Sequence, residues 1–208
     1  VMGPDEFHEQ YHDAEQGGLK DNAYTNILTA WAFNKAAEIH KMIDGTDDKA
    51  PDLVTKEELK RWNEIANKLN LVISPDGIIA QYDGYFELKE LDWDYYRSKY
   101  GNIYRLDRIL KAEGKSPDEY KVAKQADMLM IFYILEEKEV RDIIETMGYK
   151  LKPDFLKRNM DYYLARTSHG STLSRVVHAQ LANMIGDSNL SWTLYMDALN
   201  SDFDDIQG

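Results

Sequence analysis

Three stretches of the 208-residue sequence concentrate side chains that can do chemistry. In Gly3-Pro4-Asp5-Glu6-Phe7-His8-Glu9 a rigid Gly-Pro turn precedes three carboxylates and an imidazole, and a turn of this kind lets a loop hold an acid in one direction. Glu6 sits between Pro4 and the aromatic Phe7, flanked by the charges of Asp5 and Glu9. Such surroundings disfavour the carboxylate, so Glu6 is expected to keep its proton near neutral pH and serve as a general acid. The competing reading is a frayed acidic chain end. In Thr167-Ser168-His169-Gly170-Ser171-Thr172-Leu173-Ser174, five hydroxyls, an imidazole and a glycine stand just ahead of an expected helix, flanked by Arg166 and Arg175. Hydroxyls and free backbone N–H groups at a helix start form an anion site, and the helix dipole favours phosphate there; a plain cap needs only one hydroxyl. In the third stretch Lys124, Gln125 and Asp127 place an ammonium, an amide and a carboxylate where a buried helix begins, either to meet a ligand or as a solvated first turn.

One absence bears on the reaction. From Tyr162 to Gly186 there is no Asp or Glu. An inverting hydrolase needs a second carboxylate to activate water on the face opposite the acid, whereas phosphate, as its own nucleophile, needs only an anion cradle.

The composition narrows the partners. Apolar residues at 43% and charged residues at 30% describe an ordinary globular protein. A formal charge of −12 argues against unspecific binding to nucleic acid or to an anionic membrane. The absence of cysteine rules out disulfides and thiolate metal sites and agrees with a reducing, cytoplasmic setting. There is no signal peptide, and the longest apolar-rich run, Met128 to Leu135, is too short to span a bilayer. Dinucleotide, P-loop and HExxH strings are missing. His8, His12, Glu6 and Glu9 are read as the acid and its supports rather than as a metal set, so no metal and no cofactor is expected. Both chain ends, the opening motif and Gln207-Gly208, read as cuts.

The elements that must hold these stretches are helical. The pattern predicts helices from Ala23 to Ile43, capped by Asp21 or Asn22, with a stripe of Ile27, Leu28, Trp31, Ala32, Ala36 and Ile39. Asp44-Gly45 ends it and a polar loop runs from Thr46 to Asp52. A capping box at Thr55 opens a second helix to about Leu69, with Leu59, Trp62, Ile65 and Leu69 on one face. Ser74-Pro75-Asp76-Gly77 sits between two β-branched runs and predicts a small hairpin. Gln81 to Phe86 and Trp93 to Tyr96 read as an aromatic, glycine-broken loop whose tyrosines either pack it down or contact sugar. Pro117 starts a helical region that runs into the apolar Ile131–Leu135. Further helices are expected from Lys138 to Met147, Pro153 to Leu164, Leu173 to Ile185, and Ser191 to Leu199. The last is capped by Ser188 or Asn189, with Trp192, Tyr195 and Leu199 facing inward. Short connections make neighbours antiparallel, in one domain over residues 1–208.

Four strings resemble glycoside hydrolase family 65, the inverting α-glucoside phosphorylases. Gly3 to Glu9 followed by Asp21-Asn22-Ala23-Tyr24-Thr25-Asn26 resembles that family's general-acid region. Gln81-Tyr82-Asp83-Gly84-Tyr85-Phe86 is similar to its aromatic string, Lys124-Gln125-Ala126-Asp127 to its KQAD string, and Thr167 to Ser174 to its phosphate loop. The resemblance implies an all-α fold, part of a twelve-helix (α/α)6 barrel with about seven helices here and a small β-hairpin insertion. The family's N-terminal β-sandwich and the earlier barrel helices lie outside this sequence. It also implies roles: Glu6 as proton donor, supported by Asp5, His8 and Glu9; Lys124 and Gln125 on the glucosyl unit; and His169, Ser171 and Thr172 on phosphate. The implied reaction is inverting phosphorolysis of an α-linked glucosyl disaccharide to β-glucose 1-phosphate, with inorganic phosphate as co-substrate and a homodimer in the full-length protein. A hydrolase of the same family, and a catalytically silent structural or sugar-binding piece, are the alternatives.

Overall fold

Residues 3–44 and 54–203 are described by a computed structural model. The expected stop at Gly45, the loop from Thr46 to Asp52, Val1, Met2 and the Gln207-Gly208 end lie outside the described residues. Asn22 accepts a hydrogen bond from the Thr25 backbone N–H at 3.0 Å and so caps α1 (Ala23–Asp44), satisfying a donor that a helix start leaves without a partner. The buried side of α1 is Ala23, Ile27 and Ala30; Ala32 and Ile39 of the expected stripe are exposed. Thr55 forms the expected capping box with Glu58 and opens α2 (Lys56–Ala66), which stops short of Leu69. Trp62 stacks on Phe33 of α1, while Ile65 is exposed.

Between α2 and the next long helices the chain is compressed into short pieces. The Ser74–Gly77 turn is present, but the hairpin reduces to one antiparallel bridge between Ile73 and Ile79. A 3-10 turn follows at Tyr85–Glu87. The segment expected as an aromatic loop contains α3 (Trp93–Tyr100), capped by Asp92, and α4 (Leu106–Ala112) comes after it. These two helices account for the difference between the seven expected and the nine seen among the described residues. Phe7, Leu91, Tyr96, Ile103, Leu106, Leu110 and Val122 form a small core beneath this lobe.

The helical region expected from Pro117 is instead a 3-10 turn, Pro117–Glu119, and an extended strand of chain leading into α5 (Asp127–Ile134). Its first six residues, Asp127 to Phe132, are buried, whereas Tyr133 and Ile134 are exposed. α5 packs against α1, α6 (Glu137–Thr146), α7 (Phe155–Leu164) and α8 (Thr172–Met184), so the main core forms around it. In α7 the buried set Phe155, Leu156, Asn159, Met160 and Tyr163 recurs at three- and four-residue steps. Asp187, not Ser188 or Asn189, accepts the Leu190 N–H at 3.0 Å at the start of α9 (Ser188–Phe203). α8 and α9 pack side by side. The expected inward face of α9 is turned out: Trp192 is 64% exposed, Tyr195 45% and Leu199 52%.

Candidate active site

Asp127, the first residue of α5, gathers the segments that carry the chemistry. Its carboxylate accepts from the Asp5 backbone N–H and, at 2.7 Å, from the Asn22 side-chain amide, while its own N–H donates to Gln81 Oε1 at 2.6 Å. Four distant stretches therefore meet at one buried residue. The approach is so close that a Cβ on Gly3 would overlap the Asp127 carboxylate, which is why the turn begins with glycine. A parallel bridge between Ala123 and Thr167 lays the Lys124-Gln125 segment beside the hydroxyl-rich turn.

Glu6 is held at a positive φ of 63°, a conformation that side chains other than glycine rarely adopt. Its side chain is 60% exposed, and its carboxylate meets the Lys124 ammonium at 2.5 Å, with the Gln125 amide nitrogen at 3.5 Å. Phe7 does not cover it as expected; that ring is buried in the small core. The neighbour of Glu6 is thus a cation rather than an apolar face. Gln125 does more than border Glu6: its Nε2 donates to Pro4 O at 2.5 Å and its Oε1 accepts from Ser171 Oγ at 2.9 Å. One buried amide joins the acid loop to the hydroxyl turn.

Behind Glu6 lies a buried charge cluster. His8 Nδ1 faces Asp5 Oδ2 at 2.5 Å and Nε2 faces Tyr120 O at 2.9 Å, so both ring nitrogens meet acceptors. Burial pulls the His8 pKa down, but the charge and hydrogen bond of Asp5 outweigh it and the net shift is upward. Asp5 also accepts the Lys124 backbone N–H at 2.8 Å. Burial first, and then the charge of Asp5, push the Asp127 carboxyl up to about 8. Glu9 contributes main chain only: its N–H donates to Asp118 Oδ1 at 3.2 Å and its side chain is exposed. Tyr82 and Tyr85 are packed inside, which makes this part of the aromatic string support rather than an exposed platform.

In the hydroxyl turn, Ser171 accepts from the Ser174 N–H at 3.3 Å as the cap of α8, and Thr172 Oγ1 lies 3.4 Å from Ser201 Oγ. His169, at φ 53°, sets Nδ1 3.0 Å from Ser174 Oγ and stacks edge-on against His178. Burial chiefly, with His178, Arg175 and Arg97 adding to it, pushes the His169 pKa down to about 3. Of the flanking arginines, Arg166 is turned away into an ion pair with Glu90 at 3.0 Å; Arg175 is buried behind Tyr104. Sequence reasoning missed Asn22 as the partner of Asp127, and it missed Gln81. No local pattern announces contacts over 105 and 46 residues, although both sit inside strings already singled out. Among the described residues no His, Asp and Glu cluster could hold a metal ion, and no helix is long and apolar enough to cross a membrane.

Comparison with known proteins gives a consistent picture. The family model described as the glycosyl hydrolase family 65 central catalytic domain matches residues 1–208. Over its whole length the chain is 47% identical to a trehalose 6-phosphate phosphorylase of Lactococcus lactis, covering 26% of that protein. Over 90% of its length it is 30% identical to a kojibiose phosphorylase of Halothermothrix orenii, covering 22% of it. A solved structure of a kojibiose phosphorylase candidate from the human microbiome superposes with a TM-score of 0.71 at 24% identity, over 99% of this chain and 26% of that one. The fold is therefore part of an (α/α)6 barrel, and the chain spans about a quarter of the length of the curated relative it matches at 47%.

Proposed function

The chain belongs to glycoside hydrolase family 65, and from that premise we propose that it carries the acid and phosphate halves of an inverting disaccharide phosphorylase. Glu6 gives its proton to the interglycosidic oxygen as that oxygen leaves the anomeric carbon. An oxygen of inorganic phosphate, held by His169, Ser171 and Thr172, forms the new bond from the opposite face, and the products are β-glucose 1-phosphate and the released sugar. Lys124 and Gln125 hold the glucosyl unit beside Glu6, and Asp5, His8 and the Glu9 backbone fix the loop. No cofactor takes part. A cytoplasmic homodimer belongs to the same reading.

The observation that carries it is the Gln125 amide. With hydrogen bonds to Pro4 O and Ser171 Oγ, it ties the loop of the proposed acid to the proposed anion turn, which supports the reading of one shared site. The missing carboxylate between Tyr162 and Gly186 favours phosphate over activated water. The substrate is read as a disaccharide bearing a phosphate ester, on the 47% identity to a trehalose 6-phosphate phosphorylase against 30% to a kojibiose phosphorylase. In the full-length protein, Glu6→Gln should abolish phosphate-dependent cleavage of trehalose 6-phosphate while leaving the fold intact by circular dichroism. Retained turnover, or wild-type cleavage without phosphate, would reject the mechanism.

A further inference from the structure

Glu6 is the one exposed residue in the run from Asp5 to His8, and a side chain held at a φ of 63° stays there only where its surroundings fix the backbone from both sides. Asp5, just before it, is tied to Asp127, to the Lys124 backbone N–H and to His8 Nδ1. The bond between Asp5 and His8 closes a small ring of chain around Glu6 and Phe7. Those tethers leave one motion free, a pivot of the two enclosed residues about the line from Asp5 to His8. Phe7 blocks that pivot. The His8 ring packs with Tyr82 and Tyr85 of the main core, whereas the Phe7 ring, 6% exposed, goes into the separate small core that includes Tyr96 and Leu106.

The wall that receives the ring is stiffened from behind. Tyr96 of α3 belongs to the small core, and its hydroxyl donates to Glu113 Oε2 at 2.7 Å. Glu113, just past α4, also accepts from Lys99 at 2.6 Å, Tyr100 at 2.8 Å and Lys115 at 2.8 Å. Its side chain is only 15% exposed. A partly shielded carboxylate with four donors, two of them cations, holds its neighbours more firmly than an isolated surface ion pair does, and this one joins α3 to α4. The partners of the Glu6 carboxylate are Lys124 and Gln125, so the lobe acts on the acid through the backbone. We propose that the α3–α4 lobe is the positioning element of the acid: Phe7 is the residue through which it sets the direction of Glu6, and Glu113 keeps it rigid. That role rests on the reading of Glu6 as proton donor.

The test uses the full-length protein and two glucosyl donors. Trehalose 6-phosphate needs a proton on its departing oxygen. α-Glucosyl fluoride does not: its C1–F bond breaks as the C1–O bond to phosphate forms, and fluoride leaves with the electron pair. A misplaced acid therefore slows the first donor and spares the second, whereas a smaller folded fraction slows both alike. Phe7→Ala should cut kcat on trehalose 6-phosphate by about 100-fold relative to kcat on the fluoride, with the KM for phosphate unchanged. Phe7→Leu, which refills the small core, should recover most of that ratio. Glu113→Ala should shift the ratio in the same direction, and it reports even where Phe7→Ala fails to fold. Glu6→Gln sets the scale. A ratio that Glu6→Gln leaves alone overturns the reading of the acid and this role with it. A ratio that Glu6→Gln shifts, while Phe7→Ala and Glu113→Ala slow both donors equally or neither, overturns the positioning role and leaves the acid standing. A shift in Phe7→Ala without one in Glu113→Ala overturns the part given to the lobe.

Discussion

At the scale of single residues the site is set by buried groups whose protonation the fold dictates. His169 and His178 are pushed down from 6.5 to about 3 and about 4, both chiefly by burial. A base whose folded pKa is depressed gives stability that is complete above its unfolded value and is lost as pH falls. Those two histidines therefore destabilise the fold progressively below pH 6.5. Asp127 and His8 work in the other direction. Asp127 is raised from 3.8 to about 8 and His8 above 6.5, so their contributions are complete at low pH and are lost as pH rises. Below 6.5 the two histidines outweigh the single aspartate. Thermal melts should thus show maximum stability at about pH 6–7. Asp127→Asn should lower stability, because its amide would face the Asp5 N–H or the Asn22 amide donor to donor, and it should flatten the decline on the alkaline side. A melting temperature that keeps rising to pH 9 would contradict the buried cluster. The sequence Gly3-Pro4-Asp5-Glu6 marked a turn that presents Glu6, but the surroundings of that side chain were not legible. Adjacency to Phe7 suggested an apolar face, whereas backbone direction sends the ring into one core and the carboxylate toward Lys124.

Among the elements, α8 couples the cap to the site. Ser171 closes the helix start and also holds Gln125. Ser171→Ala should cost about 1 kcal/mol in denaturant unfolding, and in turnover assays it should raise the KM for phosphate more than the KM for sugar. The opposite kinetic pattern would detach the turn from phosphate. α7 could be read from the period of its five buried residues, and α2, where Ala66 alone is buried, from the capping box at Thr55. α3 could not, because Tyr96 is its only buried residue and one buried position in eight gives no period. The extended segment before α5 was mistaken for helix for a related reason. Val122, Ala123 and Ala126 are as apolar as a helix face, yet the Ala123 N–H donates to Arg166 O and its carbonyl accepts from the Ser168 N–H, while the Val122 N–H turns back to Tyr120 O.

For the whole molecule, the outer side of α9 carries Trp192, Tyr195, Leu199 and Phe203, all exposed. Spacing alone correctly grouped the first three on one side but could not say toward which partner the side turns. Residues 1–208 produced alone should associate as concentration rises, measured by sedimentation velocity, because exposed apolar patches of this kind drive contact. Trp192→Glu together with Leu199→Glu should keep the chain monomeric, and association undiminished in that double variant would place the contact elsewhere. The Asp5–Asp127 contact spans 122 positions. During synthesis the loop bearing Glu6 is complete long before the residue that anchors it leaves the ribosome, and until then two carboxylates destined for one dry pocket stay apart in water. Docking of that loop therefore waits for residue 127, and a translational pause ahead of Asp127 would leave the loop untethered for the length of the pause.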